Sequence, residues 1–186
     1  MILTGHEDIR IRKTIESIHD AFTSMLLEMP YEKITVKSLC ERAVINKTTF
    51  YRYYPTLDDL LAELQSQYAR PYAKLTAGMR YPDDIETLVR EFMTYSAKQG
   101  PLYDAIVSSG IYTSILNKVM DEMGEERVKN CKPPKGWSKA EWSLYLAHVN
   151  SSQIRIYKQW VDEGRSIPVE RMASLAVRLI CDGARI

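Results

Sequence analysis

The sequence has 186 residues, of which 45% are hydrophobic, so it can form one medium domain or a small domain joined to a larger one. This apolar content excludes a mostly disordered chain, and eight glycines and eight prolines are too few for a collagen-like one. The chain carries 25 basic and 24 acidic residues, a balance that argues neither for nor against a polyanionic partner.

The first predicted element is an amphipathic helix. Apolar side chains recur every three or four positions over residues 11–29, which is typical of a helix with one buried face. Pro30 ends this helix, because proline disfavours helical geometry in the residue before it. Thr35 is then predicted to cap a short helix over residues 36–43.

A second short helix is predicted close behind the first. Asn46 is suited to cap a helix over residues 47–53, after only a few intervening residues. A longer helix begins at residues 55–56, and Asp58 and Asp59 lie favourably in its positive first turn.

The remainder of the chain is also predicted to be helical. Two residue pairs have the spacing of a capping box, Asp83 with Glu86 and Ser138 with Glu141. The predicted helices end before Gly100, cover residues 102–109 and 112–129, extend from Ser138 to Gly164, and run from Pro168 towards Asp182. No segment has clustered, alternating Val, Ile and Thr, so we predict an all-α fold.

The cysteines and the hydropathy indicate the cellular compartment. Cys40, Cys131 and Cys181 are odd in number and widely separated, so we interpret them as reduced thiols. The sequence has no run of about 18 apolar residues, and its first eight residues reach acidic side chains before any apolar run, so neither a membrane helix nor a signal peptide is predicted. We expect a cytoplasmic protein.

Basic residues are concentrated in one short segment. Residues 33–52 carry five cations and a single acid, whereas residues 55–186 carry equal numbers of both. The cations are Lys33, Lys37, Arg42, Lys47 and Arg52, and the acid is Glu41. A local basic patch on a neutral body is typical of a nucleic-acid contact, although a solvated basic face would have the same composition.

The same segment has the pattern of a helix-turn-helix. Leu39, Ala43, Ile45 and Phe50 can form a small core shared by two crossed helices, with Cys40 as a small residue where they approach. The second helix then exposes cations and hydroxyls, the groups that phosphates and base edges require. A helix of this kind fits the major groove, with its N-terminal residues nearest the bases.

Here the chain resembles the tetracycline-repressor (TetR) family of bacterial transcription regulators. The resemblance rests on residues 31–43, on residues 46–54 (Asn-Lys-Thr-Thr-Phe-Tyr-Arg-Tyr-Tyr) and on residues 57–61. It implies a three-helix DNA-binding domain over residues 1–55, a connecting helix over 56–76, and an effector-binding and dimerisation domain over 77–186. It also implies a palindromic DNA operator and a homodimer as partners, together with a small-molecule effector.

The resemblance assigns roles to individual residues. Those that match the family's DNA contacts are Lys37, Lys47, Thr48, Thr49, Tyr51, Arg52 and Tyr53. Two departures matter. Val44 stands in the turn where the family usually has glycine, which is costly if that position needs a positive φ. Thr56-Leu57 replaces a basic residue common at the start of the fourth helix, which removes one expected phosphate contact.

The C-terminal half supplies candidates for an interface and for a ligand pocket. The last helix has an apolar stripe wider than one interface needs, and Met172, Leu175, Ala176 and Leu179 are predicted to contact a second copy of the chain. Aromatic residues and a histidine lie on helices that surround a cavity in this family: Tyr95, Tyr103, Tyr112, Trp142, Tyr145 and His148. Each of them could instead be ordinary core.

Three functions remain open at this stage. The first is a dimeric repressor that a small molecule releases from DNA, the second is a TetR-like regulator with a protein effector or none, and the third is an all-α enzyme or carrier that has lost DNA binding. The sequence contains no nucleotide-binding, nucleophile-elbow or zinc-protease motif, and none of its three histidines are paired at metal-ligand spacing. We therefore predict a regulator that is not an enzyme and that needs no metal or cofactor.

Overall fold

The computed structural model describes residues 9–109 and 132–183. These ranges contain α-helices and no β-strand, which confirms the predicted all-α class. The helices are α1 (Ile9–Glu28), α2 (Val36–Arg42), α3 (Lys47–Tyr53), α4 (Leu57–Leu75), α5 (Ile85–Ala97), α6 (Pro101–Ser108), α7 (Lys139–Asp162) and α8 (Val169–Val177). A short 3-10 turn, Tyr31–Lys33, precedes α2. Two predictions lie outside the described residues. One is the helix over residues 112–129, which includes Tyr112, and the other concerns Cys131.

The chain divides into two compact units. Within the described ranges, the first unit comprises residues 9–67 and 101–109, and the second comprises residues 68–100 and 132–183. Helix α4 therefore begins in the first unit and ends in the second. Helix α6 packs against α1 and belongs to the first unit.

The core of the first unit is built on α1. Ile15, Ile18 and Phe22 are completely buried on its predicted apolar face, and Met25 is nearly so. Burial of each of these large apolar side chains contributes on the order of 2 kcal/mol, so this face supplies most of the surface against which the shorter helices pack.

Three predicted helix starts are confirmed by a hydrogen bond between the capping side chain and a nearby backbone N–H. The Thr35 hydroxyl accepts from the backbone N–H of Ser38, the Asn46 side chain from Thr49, and the Ser138 hydroxyl from Glu141. The capping box predicted at Asp83 is wrong. The residue before α5 is Asp84, and its carboxylate accepts a hydrogen bond from the backbone N–H of Arg80 at 2.8 Å, so it serves the preceding turn rather than the helix.

In the second unit, α5 packs against α7 and α8. The Tyr157 hydroxyl on α7 donates to the Ser96 carbonyl at 2.9 Å, and the Trp160 Nε1–H donates to the Ile167 carbonyl at 2.8 Å, which fixes the turn between α7 and α8. The last helix was predicted to be one α-helix to residue 182. Instead the α-helix ends at Val177 and continues as a π-helical turn, Arg178–Asp182. None of the helices in the described ranges is long and apolar enough to cross a membrane.

The turn between α2 and α3 adopts the conformation that the sequence suggested would be costly. Val44 has φ 55°, and its side chain is 89% exposed, so no packing offsets the strain. The Ile45 N–H donates to the Cys40 carbonyl at 3.0 Å, a bond that closes the end of α2 and requires this backbone course. A β-branched side chain is unfavourable in the left-handed region, where even a single residue costs about 1–2 kcal/mol.

Replacing Val44 by glycine should stabilise the protein. We expect Val44→Gly to raise the free energy of unfolding by about 1 kcal/mol, because the strain relieved exceeds the extra chain entropy that glycine loses on folding. Urea denaturation would measure the change. Val44→Ala is the matched control, since it keeps a Cβ at positive φ and should gain much less. Equal stability of the two variants would contradict this explanation.

Candidate nucleic-acid interface

Helix α1 holds α2 in place through two polar contacts. The Ser17 hydroxyl donates to the Ala43 carbonyl at 2.7 Å, which satisfies a group at the C-terminal end of α2. The Arg42 guanidinium donates to the Glu28 carboxylate at 2.7 Å and to the Ser24 hydroxyl at 3.2 Å. The hydrogen bond from Arg42, aided by one from Ser24, lowers the pKa of Glu28.

Helix α3 has a small anchor. Phe50 is its one completely buried side chain, and Tyr54, directly after the helix, is 1% exposed. Their ring centroids lie 5.9 Å apart, and the Tyr54 backbone N–H donates to the Phe50 carbonyl. The Tyr54 hydroxyl lies 2.9 Å from Nε2 of His19 on α1. Two aromatic rings and one hydrogen bond therefore anchor α3, which also packs against α2.

The residues predicted to contact DNA lie around this anchored helix. Lys37 near the start of α2, and Lys47, Thr48, Tyr51 and Arg52 of α3, are exposed. Thr49 and Tyr53 are half-buried, so each presents only part of its side chain to solvent. The Tyr51 ring packs edge-on against Phe50 at 5.5 Å, and the side chain is still 53% exposed. The helix thus buries one aromatic residue and presents cations and hydroxyls on its remaining surface.

The positive patch is smaller than the sequence suggested. Because Arg42 is bound to Glu28, its charge is locally compensated. Lys37 lies 3.9 Å from Glu41, but both side chains are largely exposed, and such a surface pair is weak and readily exchanged for another anion. Lys33, Lys47 and Arg52 are exposed cations of the same segment. They are the groups best placed to meet a polyanion.

The residues predicted to bind a ligand fall into separate groups. Tyr95 is half-buried, its ring lies 5.4 Å from that of Tyr72, and its hydroxyl donates to the Tyr68 carbonyl at 2.8 Å. Tyr103 is 2% exposed and belongs to the first compact unit. It sits on α6, which packs against α1, and its role in a ligand pocket stays a prediction.

A second aromatic group lies at the start of α7. Trp142 and Tyr145 stack at 5.2 Å with an interplanar angle of 12°, and Trp137 packs edge-on against both rings. His148, one turn further along α7, is exposed and lies 3.4 Å from the Ser152 hydroxyl. The structure therefore joins Trp142 to Tyr145 but not to Tyr95.

Two residues predicted at the dimer interface are already buried within one chain. Met172 is 2% exposed and Ala176 is 0% exposed, on a helix that packs against α5. Within one chain they therefore belong to the core, and their contact with a partner stays a prediction. Leu175 and Leu179 are half-buried and keep exposed area. The sequence missed Leu144 on α7, a leucine that is 72% exposed.

Sequence reasoning also missed the contacts that fix the helices. The pairing of Arg42 with Glu28 joins residues 14 positions apart, and that of His19 with Tyr54 joins residues 35 positions apart. Such pairs join side chains from different elements, so the spacing of residues within one helix does not predict them. The one available signal is that both histidine and tyrosine need a polar partner when buried.

Comparison with solved structures identifies the fold. FadR from Bacillus halodurans, a fatty acid degradation regulator, superposes with a TM-score of 0.54 at 17% identity, over 92% of this chain and 96% of that one. A TetR-like transcriptional regulator from Rhodococcus sp. RHA1 gives 0.53 at 15% identity, over 91% and 94%. The transcriptional regulator FadR from Bacillus subtilis, in complex with stearoyl-CoA, gives 0.51 at 14% identity, over 92% and 100%.

No family model and no curated protein matches the sequence. The structural likeness nevertheless extends over more than nine tenths of the chain. It confirms the fold that the resemblance implied, an N-terminal helix-turn-helix followed by a larger helical part.

Proposed function

We propose that this chain, which has the fold of the TetR-like regulators, is a dimeric, sequence-specific DNA-binding regulator that represses transcription until a small molecule releases it. The observation that carries the proposal is α3 itself. This seven-residue helix buries Phe50 and presents Lys47, Thr48, Tyr51 and Arg52 to solvent. A surface of cations and hydroxyls on a short helix suits the major groove.

The residues around α3 divide between base reading and phosphate binding. Lys47, Thr48 and Thr49 form the first turn, which reaches deepest into the groove, and we assign them to the bases. Tyr51, Arg52 and Tyr53 follow, and we assign them with Lys37 to the sugar-phosphate backbone. Thr49 and Tyr53 are half-buried, and we assign the hydroxyl of each to this surface.

The dimer supplies the spacing that DNA requires. Two copies of α3 must lie about 34–36 Å apart to enter successive major grooves, so the operator is a palindrome with half-sites about one turn apart. We assign the contact between copies to α7 and α8, where Leu144 is exposed and Leu175 and Leu179 keep exposed area.

The effector is assigned to the second compact unit. Its aromatic residues include Tyr95, Trp142 and Tyr145, with His148 nearby on α7. One protein of the same fold was solved with stearoyl-CoA, which makes a long-chain acyl thioester a reasonable first probe. An effector releases DNA if it binds more tightly to the dimer with the wrong spacing, by an amount no larger than its preference between the two states.

Substitutions in the first turn of α3 test DNA binding directly. Lys47→Ala or Thr49→Ala should weaken binding to a duplex selected from random DNA by about 1–3 kcal/mol if the side chain reads a base. Fluorescence anisotropy on the selected duplex and on a scrambled one would show whether the loss is sequence-specific.

The matched control for that measurement is Lys98→Ala. Lys98 is an exposed lysine at the end of α5, in the other compact unit, and its loss should leave affinity unchanged. Binding by the unaltered protein should also fall steeply with salt, since phosphate contacts release counterions. A flat salt response, or equal effects of Lys47→Ala and Lys98→Ala, would contradict groove docking.

The interface is tested by charge. The double variant Leu175→Glu, Leu179→Glu should give folded monomers in sedimentation, because two carboxylates cannot be buried between copies without partners. Met172→Glu is the contrasting variant. That residue is buried within one chain, so a charge there should unfold the second unit rather than yield folded monomers. Persistent dimers of the double variant would place the interface elsewhere.

The effector is tested by stability and DNA release together. A compound that binds the folded chain raises its stability by mass action, by about 2.7 kcal/mol at 100 times its dissociation constant. We expect a thermal-shift screen that includes stearoyl-CoA to identify a stabilising compound that also weakens binding to the selected duplex. If stabilising compounds leave DNA affinity unchanged, the regulator has no small-molecule effector of this kind.

A further inference from the structure

A titratable group lies at the anchor of α3. Nε2 of His19 is 2.9 Å from the Tyr54 hydroxyl and 3.7 Å from Oε1 of Glu63, so one nitrogen faces both partners. His19 is on α1, Tyr54 directly follows α3, and Glu63 is on α4. The three side chains thus meet from three elements of the first compact unit.

Tyr54 and Glu63 favour opposite hydrogen-bonding roles of Nε2, as an acceptor and as a donor. Neutral histidine with its proton on Nδ1 leaves Nε2 as an acceptor for the Tyr54 hydroxyl. Protonated histidine carries hydrogens on both nitrogens, so Nε2 can no longer accept and must donate. Both the Tyr54 oxygen and the Glu63 carboxylate can accept from it, and the carboxylate is the stronger acceptor because that hydrogen bond is charge-assisted. Burial raises the pKa of Tyr54 to about 12, so its hydroxyl stays protonated and needs an acceptor.

We propose that His19, Tyr54 and Glu63 form a proton-sensitive clamp, in which neutral His19 holds the C-terminal end of α3 and protonated His19 releases it in favour of Glu63. The consequence for DNA rests on the proposed function. His19 and Tyr54 are positioning residues: they touch no DNA but set the orientation of the helix that does. Since Phe50 is the one completely buried side chain of α3, losing the Tyr54 hydrogen bond removes much of what fixes this helix.

The direction of the pH effect follows from burial. Burial lowers the pKa of His19 from its ordinary value of 6.5, the positive charge of the N-terminal ammonium adds to that lowering, and the neighbouring carboxylate of Asp20 opposes it. The folded chain therefore binds fewer protons than the unfolded chain as the pH falls below 6.5. Stability contributed by neutral His19 is fully present above that pH and is lost below it.

Other titratable groups lie on the elements that meet at the clamp and on the helices that pack against α1. On α1 itself they are Glu16 and Asp20, on α4 Glu63, and after α3 Tyr54. Helix α6, which packs against α1, adds Tyr103 and Asp104, and Arg42 of α2 is paired with Glu28. Carboxylates favour the protonated form of His19 as the pH falls, and Glu63 is the one placed to accept a hydrogen bond from its Nε2–H.

The test follows α3 and DNA binding over the range where histidine titrates, about pH 7.5 to 5.5. In the full-length protein, nuclear magnetic resonance would record the His19 ring and the backbone amides of Lys47–Tyr53. We expect the amides to shift with the same midpoint as His19, below 6.5. Affinity for the selected duplex should fall about threefold to tenfold, the effect of one modest hydrogen bond. General protonation of a protein strengthens DNA binding, so the sign of the change is itself diagnostic.

Three variants separate the clamp from a purely structural role. His19→Gln cannot titrate, so the change in affinity between the two pH values should disappear. Tyr54→Phe keeps the ring and removes the hydroxyl, so affinity should already be reduced at pH 7.5 and should no longer depend on His19. Glu63→Gln removes the competing ion pair and should move the midpoint to lower pH. Circular dichroism would establish that each variant is folded.

The outcomes distinguish the clamp from the proposed function. If the amides follow His19 but no duplex is bound, the clamp stands and the DNA-binding function is wrong. If DNA is bound and His19→Gln retains the pH dependence, or the amides do not follow His19, the clamp is wrong and the function stands.

Discussion

The arrangement of the first unit depends on the tertiary packing that holds α3 in place. A seven-residue helix is unstable in water on its own, because the cost of its first turn is not repaid over so short a length. Its position must therefore come from tertiary packing: Phe50 is completely buried, Tyr54 directly after the helix is buried and meets His19 of α1, and α3 packs against α2. Because these two rings take up one side of the helix, its cations and hydroxyls are left on the other. The same packing thus folds the helix and orients its polar surface.

Helix α1 acts as a scaffold with polar contacts at intervals along its length. Ser17 fixes the end of α2, Glu28 holds Arg42, and His19 meets the residue that follows α3. The first two contacts hold α2, while the third reaches α3. Of these, the His19 contact is the one whose hydrogen-bonding character changes with pH near neutrality. In the proposed clamp, the same atom, Nε2 of His19, both positions the end of α3 and responds to protonation.

Sequence patterns predicted features that are determined locally. The caps at Thr35, Asn46 and Ser138 need only a side chain and a backbone N–H three residues away, so their spacing is visible in the sequence. Asp84 shows the limit, because its carboxylate found a different N–H within the preceding turn. Val44 stands where the family that the chain resembles usually has glycine, and its positive φ is observed.

Sequence patterns do not show which surface covers the apolar face of a helix. The apolar stripe of α8 does not reveal whether a neighbouring helix or a second molecule covers it, and Met172 and Ala176 are covered by their own chain. Tyr103 is an aromatic residue of the kind that lines pockets, and it is buried on α6, which belongs to the first unit. The assignments to DNA, to a ligand and to a partner at the remaining residues stay predictions.

Sequencing the fragments that the protein selects from random DNA tests the central claim most directly. If α3 enters the major groove and a second copy places its twin one helical turn away, the fragments should contain a palindrome with half-site centres about 34–36 Å apart. Fragments with no shared sequence, or with a single unrepeated site, would contradict that arrangement.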